Sequence, residues 1–227
     1  MVSMATLLFV TAQPELKMDS MIESRIYSLL NQPTLKHRVS AGPRADPIKQ
    51  LLDRWIAHAG EHRRSYYALR LTLSFDRKQL GVKLARATLQ DTATPASILP
   101  YAAIAVARFG QRADAKFLLP HLENTTVCHT WSNPRLKKEP IRIEVRDIVL
   151  AMLIHMSGQD PKDFGFKLLA PDPETFYRIY TFGFLSDQER AKALKKWQNW
   201  SAKNAAWLTA APPPPGTIPA APGAGER

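Results

Sequence analysis

A single cysteine, Cys128, occurs among 227 residues. A lone thiol excludes an intramolecular disulfide and a cysteine-rich zinc module, because each needs several sulfur atoms from one chain. Long apolar runs are missing too, and none approaches the roughly 18 residues that span a bilayer. The opening stretch from Met1 to Val10 is apolar but lacks a basic leading region and a convincing cleavage site, so it is expected to make a poor signal peptide. Because the chain opens almost directly into that stretch, a truncated start is an open expectation, and the compartment is left unassigned, with the cytoplasm as default. No glycine-rich phosphate loop ending in Lys-Ser/Thr occurs, and no Gly-x-Ser-x-Gly elbow. Sustained period-two alternation bounded by hairpin turns is lacking as well, so strands are expected to be incidental.

What is present fits a folded chain. With 45% hydrophobic and 22% charged residues the composition is that of an ordinary globular protein, and 227 residues suffice for one sizeable core. The formal net charge of +11 draws polyanions without naming one. Its excess is concentrated between Lys36 and Lys78, where ten basic residues face four acidic ones. A solvated face is the plain explanation of such a run, and a nucleic-acid surface around Arg54, Arg63, Arg64 and Arg70 is the sharper one.

Helical spacing of apolar residues recurs wherever proline and glycine are avoided. Ser20 and Glu23 suggest a capping box ahead of Ile22, Ile26, Leu29 and Leu30. Residues 32–45 read as a loop. Asp46 and Pro47 then open an amphipathic helix through Leu52, Trp55 and Ile56 to Gly60. Residues 62–74 read as a well-buried helix containing Tyr66 and Tyr67. Asp76 and Gln79 suggest a cap for a helix reaching Gln90, in spite of Gly81, which weakens a helix by about 1 kcal/mol. Pro100 to Phe109 and Asp114 to Leu122 follow, the second shortened or kinked by Pro120. Val145, Ile148, Val149, Met152, Leu153 and Met156 predict a helix with one buried face, capped by Gly158. A short helix from Asp172-Pro173 and a long one capped by Ser186 and Glu189 complete the series. Residues 210–227 hold Pro212 to Pro215 and too few apolar side chains to offset the entropy of ordering, so a disordered tail is expected after a single domain over 1–209.

Two segments resemble HEAT repeats, paired-helix units of about 40 residues that stack into solenoids. The first, Pro95 to Glu123, contains Tyr101-Ala102-Ala103-Ile104, Arg108-Phe109-Gly110 and Phe117-Leu118-Leu119-Pro120-His121-Leu122, in the order helix, glycine turn, Leu-rich helix. The second, Glu144 to Phe166, contains Val145-Arg146-Asp147 and a glycine-terminated exit. The resemblance implies an all-α fold, an irregular α-solenoid of antiparallel helix pairs, in which Arg146 reaches carbonyls or a carboxylate of a neighbouring pair. It implies no activity and no cofactor. Some HEAT-like proteins are DNA glycosylases, which keeps that class in view for a basic chain, although no catalytic motif is matched residue by residue.

Chemistry-bearing residues are scattered. His121, Cys128, His129 and His155 fit no zinc spacing, and adjacent Cys128 and His129 are a poor nucleophile and base, since those roles need a hydrogen-bonded geometry usually assembled from distant positions. The stretch from Asn124 to Lys138 is more informative. It interrupts the repeat-like pattern and sets Trp131 beside Arg135, Lys137 and Lys138, an aromatic among cations of the kind used in contact surfaces. The expectation is therefore a non-enzymatic scaffold for protein–protein interaction, contacting its partner through this loop and the basic residues Arg54, Arg63 and Arg64. The alternative is a nucleic-acid-binding protein.

Overall fold

The computed structural model describes residues 4–13, 15–16, 19–41, 45–61, 66–136 and 138–209. Among these, eleven α-helices and two antiparallel two-stranded sheets follow in the order α1 Met4–Thr11, α2 Ser20–Leu30, α3 Pro33–Ala41, α4 Ala45–Glu61, α5 Tyr66–Ser74, α6 Lys78–Gln90, α7 Leu99–Phe109, α8 Ala115–Leu118, β1 Val127–Trp131, β2 Ile141–Glu144, α9 Val145–Met156, β3 Pro171–Asp172, β4 Phe176–Tyr177, α10 Asp187–Lys203 and α11 Ala205–Thr209. The chain is thus mostly helical. None of the described helices is long and apolar enough to cross a membrane. The expected tail over 210–227, and with it Arg63, Arg64 and Lys137, lies outside the described residues.

Helix α9 is the hub. Val145, Asp147 and every residue from Ile148 to Ile154 are buried, so the one-faced burial expected from its spacing is wrong. The cause is its neighbours, α7, α8, α10 and β2, which cover it from several sides. Its end follows the expected form: Gly158 sits at φ +77°, donates to the His155 carbonyl at 2.9 Å, and lets Gln159 reach Ile154 at 3.1 Å. Toward the N-terminus, α7 packs on α6 and α5, and α4 on α5, α3 and α1. One hydrophobic cluster runs through these helices from Leu8 to Trp197.

The glycine inside α6 has a packing reason. A Cβ at Gly81 would lie 2.7 Å from a ring carbon of Phe109 on α7 and 3.1 Å from the Thr72 hydroxyl on α5, so the close approach of three helices requires its absence.

Several expectations need correction. Residues 33–41 form α3 rather than a loop, with Pro33 at its first position, where a missing amide donor does no harm. The α2 cap is Asp19, whose carboxylate accepts from the Ile22 amide at 2.8 Å, and Ser20 is already inside the helix. Arg77 precedes α6 with no side-chain cap, while Asp76 takes φ +53° instead of capping. The stretch 112–123 is α8 flanked by 3-10 turns at Arg112–Asp114 and Leu119–Glu123, as Pro120 forewarned. The short helix expected to open at Asp172 does not form: the chain makes the β3–β4 hairpin and a 3-10 turn at Ile179–Thr181, because the Asp172 carboxylate folds back onto the amides of Glu174 and Thr175 at 2.9 Å each.

The largest correction concerns the long insertion. It supplies the first strand of a β-hairpin, with Trp131 opposite Ile141 and His129 opposite Ile143, and with Cys128 at an irregularity between Val127 and His129. Ile141 and Ile143 point into the core while Arg142 faces out, a two-residue alternation too short to stand out in the sequence.

Candidate binding groove

Tyr66 and Arg70 stand one turn apart on α5, a spacing that places both on one helix face. Tyr101 of α7 meets them edge to face, its ring centroid 4.9 Å from that of Tyr66. The two hydroxyls are 3.1 Å apart, and Arg70 Nη1 donates to Tyr66 Oη at 3.1 Å. The Arg70 guanidinium lies 4.3 Å from the ring of Tyr27 on α2, and 5.3 and 5.6 Å from those of Tyr66 and Tyr101, within cation–π range of all three. Burial pushes the Tyr101 and Tyr27 hydroxyls above the usual phenol range, so they are neutral donors at physiological pH.

The opposite wall is the β3–β4 hairpin and the 3-10 turn after it. Glu174 anchors this wall: its carboxylate binds Lys36 of α3 and accepts from Ser74 of α5 at 2.7 Å, and its carbonyl accepts from Arg108 of α7. Desolvation would raise the carboxyl of Glu174, but the hydrogen bonds from Lys36 and Ser74 prevail and hold it below the usual range. Arg178 leans on the Tyr180 hydroxyl at 3.3 Å.

Between the walls run two cavities. One of about 270 Å³ is lined by Arg70, Tyr101, Asp172, Arg178 and Tyr180, and one of about 430 Å³ by Tyr66, Ser97, Tyr101, Cys128, His129 and Tyr180. Tyr101, Ile179 and Tyr180 line both, so the two are lobes of one groove. A larger cavity of about 520 Å³ beside α6 is less promising, because its guanidinium, Arg86, is already paired with Asp114 at 2.7 Å.

Trp131 packs against Tyr180 of the groove, ring centroids 5.9 Å apart, and its buried indole nitrogen has no hydrogen-bond partner among the described residues. Arg135 and Lys138 are exposed at the turn of the hairpin, where Leu136 is also exposed. Arg54 is exposed on α4, which packs on α1, α3 and α5, whereas the hairpin packs against α9 and the Ile179–Thr181 turn. The described residues among those singled out in the sequence therefore do not share one patch. Arg70, Cys128 and His129 line the groove and Trp131 packs on its Tyr180, whereas Tyr66 and Tyr101, central to it, read in sequence as core aromatics. Their available signal was the four-residue spacing of Tyr66 and Arg70.

The metal-ligand types have other partners. His121 Nε2 lies 2.8 Å from the Leu89 carbonyl, and His155 packs on Phe176 at 4.5 Å, with burial lowering its pKa. Among the described residues no group of three or more His, Cys, Asp or Glu is placed to hold a metal ion. The Cys128 thiol donates to the Ile143 carbonyl at 3.3 Å, and burial pushes it up to about 12, which leaves it a protonated, poor nucleophile.

No family model, curated protein or solved structure matches this chain.

Proposed function

We propose that the chain is a non-enzymatic helical scaffold, an irregular α-solenoid resembling HEAT-type repeats, that binds another protein through the groove between α5, α7 and the β3–β4 hairpin. The observation that carries this reading is the groove's lining. Tyr66, Tyr101, Tyr180, Trp131 and Arg70 are the residue types that dominate protein–protein hot spots, and here they line or edge one concave surface. Packing of successive helices, α4 on α5, α5 on α6, α6 on α7 and α7 on α9, supports the repeat-like array. The second helix of each repeat-like pair is reduced, to α8 with its 3-10 turns in one and to a 3-10 turn at Pro161–Phe164 in the other, hence an irregular solenoid.

The competing reading, a nucleic-acid-binding protein or a HEAT-like DNA glycosylase, draws on the net charge. Four of the ten basic residues between Lys36 and Lys78 are engaged within the fold. Lys36 pairs with Glu174, Lys49 with Asp46, Arg77 with Asp53 and Lys78 with Asp76. Such dispersal favours the scaffold, since a polyanion site needs cations free to replace counterions.

The test is a photo-crosslinking residue at Tyr180, with a second variant carrying it at Lys195 on the exposed side of α10 as control. The expected outcome is one protein captured from native lysate at Tyr180 alone. Equal capture at both positions, or tight oligonucleotide binding that weakens steeply with salt, would sink the reading.

A further inference from the structure

Arginines in this fold are mostly matched. Among those partly or fully buried, Arg77, Arg86, Arg108, Arg146 and Arg190 each have a carboxylate within 4 Å, and Arg112 binds the carbonyls of Trp207 and Ala206. Arg70 is the exception. Half-buried at the groove floor, it has tyrosines for its nearest electrostatic partners and hydrogen-bonds only to tyrosine hydroxyls among the described residues, those of Tyr66 and Tyr27. A guanidinium carries five N–H donors, so Arg70 keeps several unused among the described residues.

The carboxylates nearby do not fill that role. Asp172 Oδ1 accepts from the Glu174 amide, the Thr175 amide and the Thr175 hydroxyl, and both oxygens of Glu174 are taken by Lys36 and Ser74. The three tyrosine rings hold the guanidinium in place, yet none of them supplies a counter-charge. The groove therefore offers a guanidinium fork, the hydrogen-bonded pair of Tyr66 and Tyr101 hydroxyls with one O–H left to donate and, at its rim, Arg178.

We propose that Arg70 anchors a carboxylate, and that the carboxylate is an acidic side chain of the protein partner; this rests on the scaffold reading above. A carboxylate matches the planar fork in geometry and single charge. Leu73, Pro100 and Ile179 line the lobes and would take the apolar stem or neighbour of the acidic residue. Phosphate is the poorer match, because Asp172 and Glu174 in the same wall repel a second negative charge more than a first.

The proposal is tested by selecting a random displayed peptide library on the immobilised full chain, then measuring the selected peptides on variants. The expected peptides carry Asp or Glu beside an apolar residue. Their binding weakens about tenfold or more in Arg70→Gln, in line with loss of a charge-assisted hydrogen bond, by less in Arg70→Lys, and not at all in Arg54→Gln. Tyr101→Phe, which keeps the ring and removes one hydroxyl, gives a severalfold loss and serves if Arg70→Gln does not fold. Selected peptides without acidic residues, or bound equally by Arg70→Gln and Tyr101→Phe, overturn the carboxylate site and leave the scaffold standing. No selected peptide at all removes both. An oligonucleotide that displaces the peptides at lower concentration than free peptide transfers Arg70 to phosphate and also overturns the proposal.

Discussion

Arg190 of α10 grips Asp147 of α9 with two nitrogens, Nε to Oδ1 at 2.8 Å and Nη2 to Oδ2 at 3.2 Å. Both side chains are almost wholly buried, at 5% and 1% exposure. The same guanidinium donates to the Arg142 carbonyl at 3.1 Å and also pairs with Glu144 and Asp187. Asp147 in turn accepts the Glu144 amide at 3.0 Å, closing the first turn of α9. One arginine thus ties the last long helix to the central helix and to the hairpin. It does the work expected of Arg146, which instead pairs with Glu144 two residues away.

Removing Arg190 leaves Asp147 buried without its cation. Arg190→Ala is expected to lower unfolding free energy by about 3 to 5 kcal/mol, read from urea denaturation. The double variant Asp147→Ala/Arg190→Ala should lose less than the sum of the two single losses, and strict additivity would show that the contact contributes nothing.

The pH dependence of the same carboxylate follows. Burial raises Asp147 from 3.8 to about 6, because a single guanidinium shared among three carboxylates compensates only partly for lost water. A carboxyl raised on folding favours the native state while protonated. Its contribution is complete below the unfolded value and is lost as pH rises through about 6. A rise of that size is worth about 3 kcal/mol at most. Wild type should therefore show a downward trend in urea midpoint between pH 4 and pH 7 relative to Asp147→Asn; parallel curves would refute this.

Cys128 should resist alkylation. With its thiol pushed up to about 12 and bonded to the Ile143 carbonyl, the native chain is expected to react with iodoacetamide at pH 8 far more slowly than in urea. Equal rates in the two conditions would place the thiol in a different environment.

Gly81→Ala tests the three-helix contact. Propensity alone favours alanine by about 1 kcal/mol. Phe109 and Thr72 stand where the methyl would go, so a net loss of about 1 to 2 kcal/mol is expected from overpacking. A higher melting temperature would show that Phe109 yields freely.

These cases mark what the sequence makes legible. Period locates α4, α6, α7 and α10 well, since each presents an apolar stripe; of their predicted N-caps Ser186 forms, its hydroxyl accepting from Glu189 at 3.2 Å, while Asp46 lies inside α4 and Asp76 does not cap α6. Residues 33–41 escape because that helix buries a single residue, Val39, and so carries almost no periodic signal. The Asp172 turn escapes because Asx chemistry and helix capping use the same residues in the same order. The groove escapes for a deeper reason. Its residues come from positions 27, 66–70, 97–101, 128–131 and 172–180, and nothing within any one stretch distinguishes a tyrosine facing Arg70 from a tyrosine in the core.

That scattering has a practical side. Because Glu174 secures the groove's late wall to Lys36, Ser74 and Arg108, a fragment ending before Pro171 would keep α2, α5 and α7 yet present Arg70 to open solvent. Such a fragment would also lose α10 and the Arg190 that ties it to α9, so the uncut polypeptide is the sound bait.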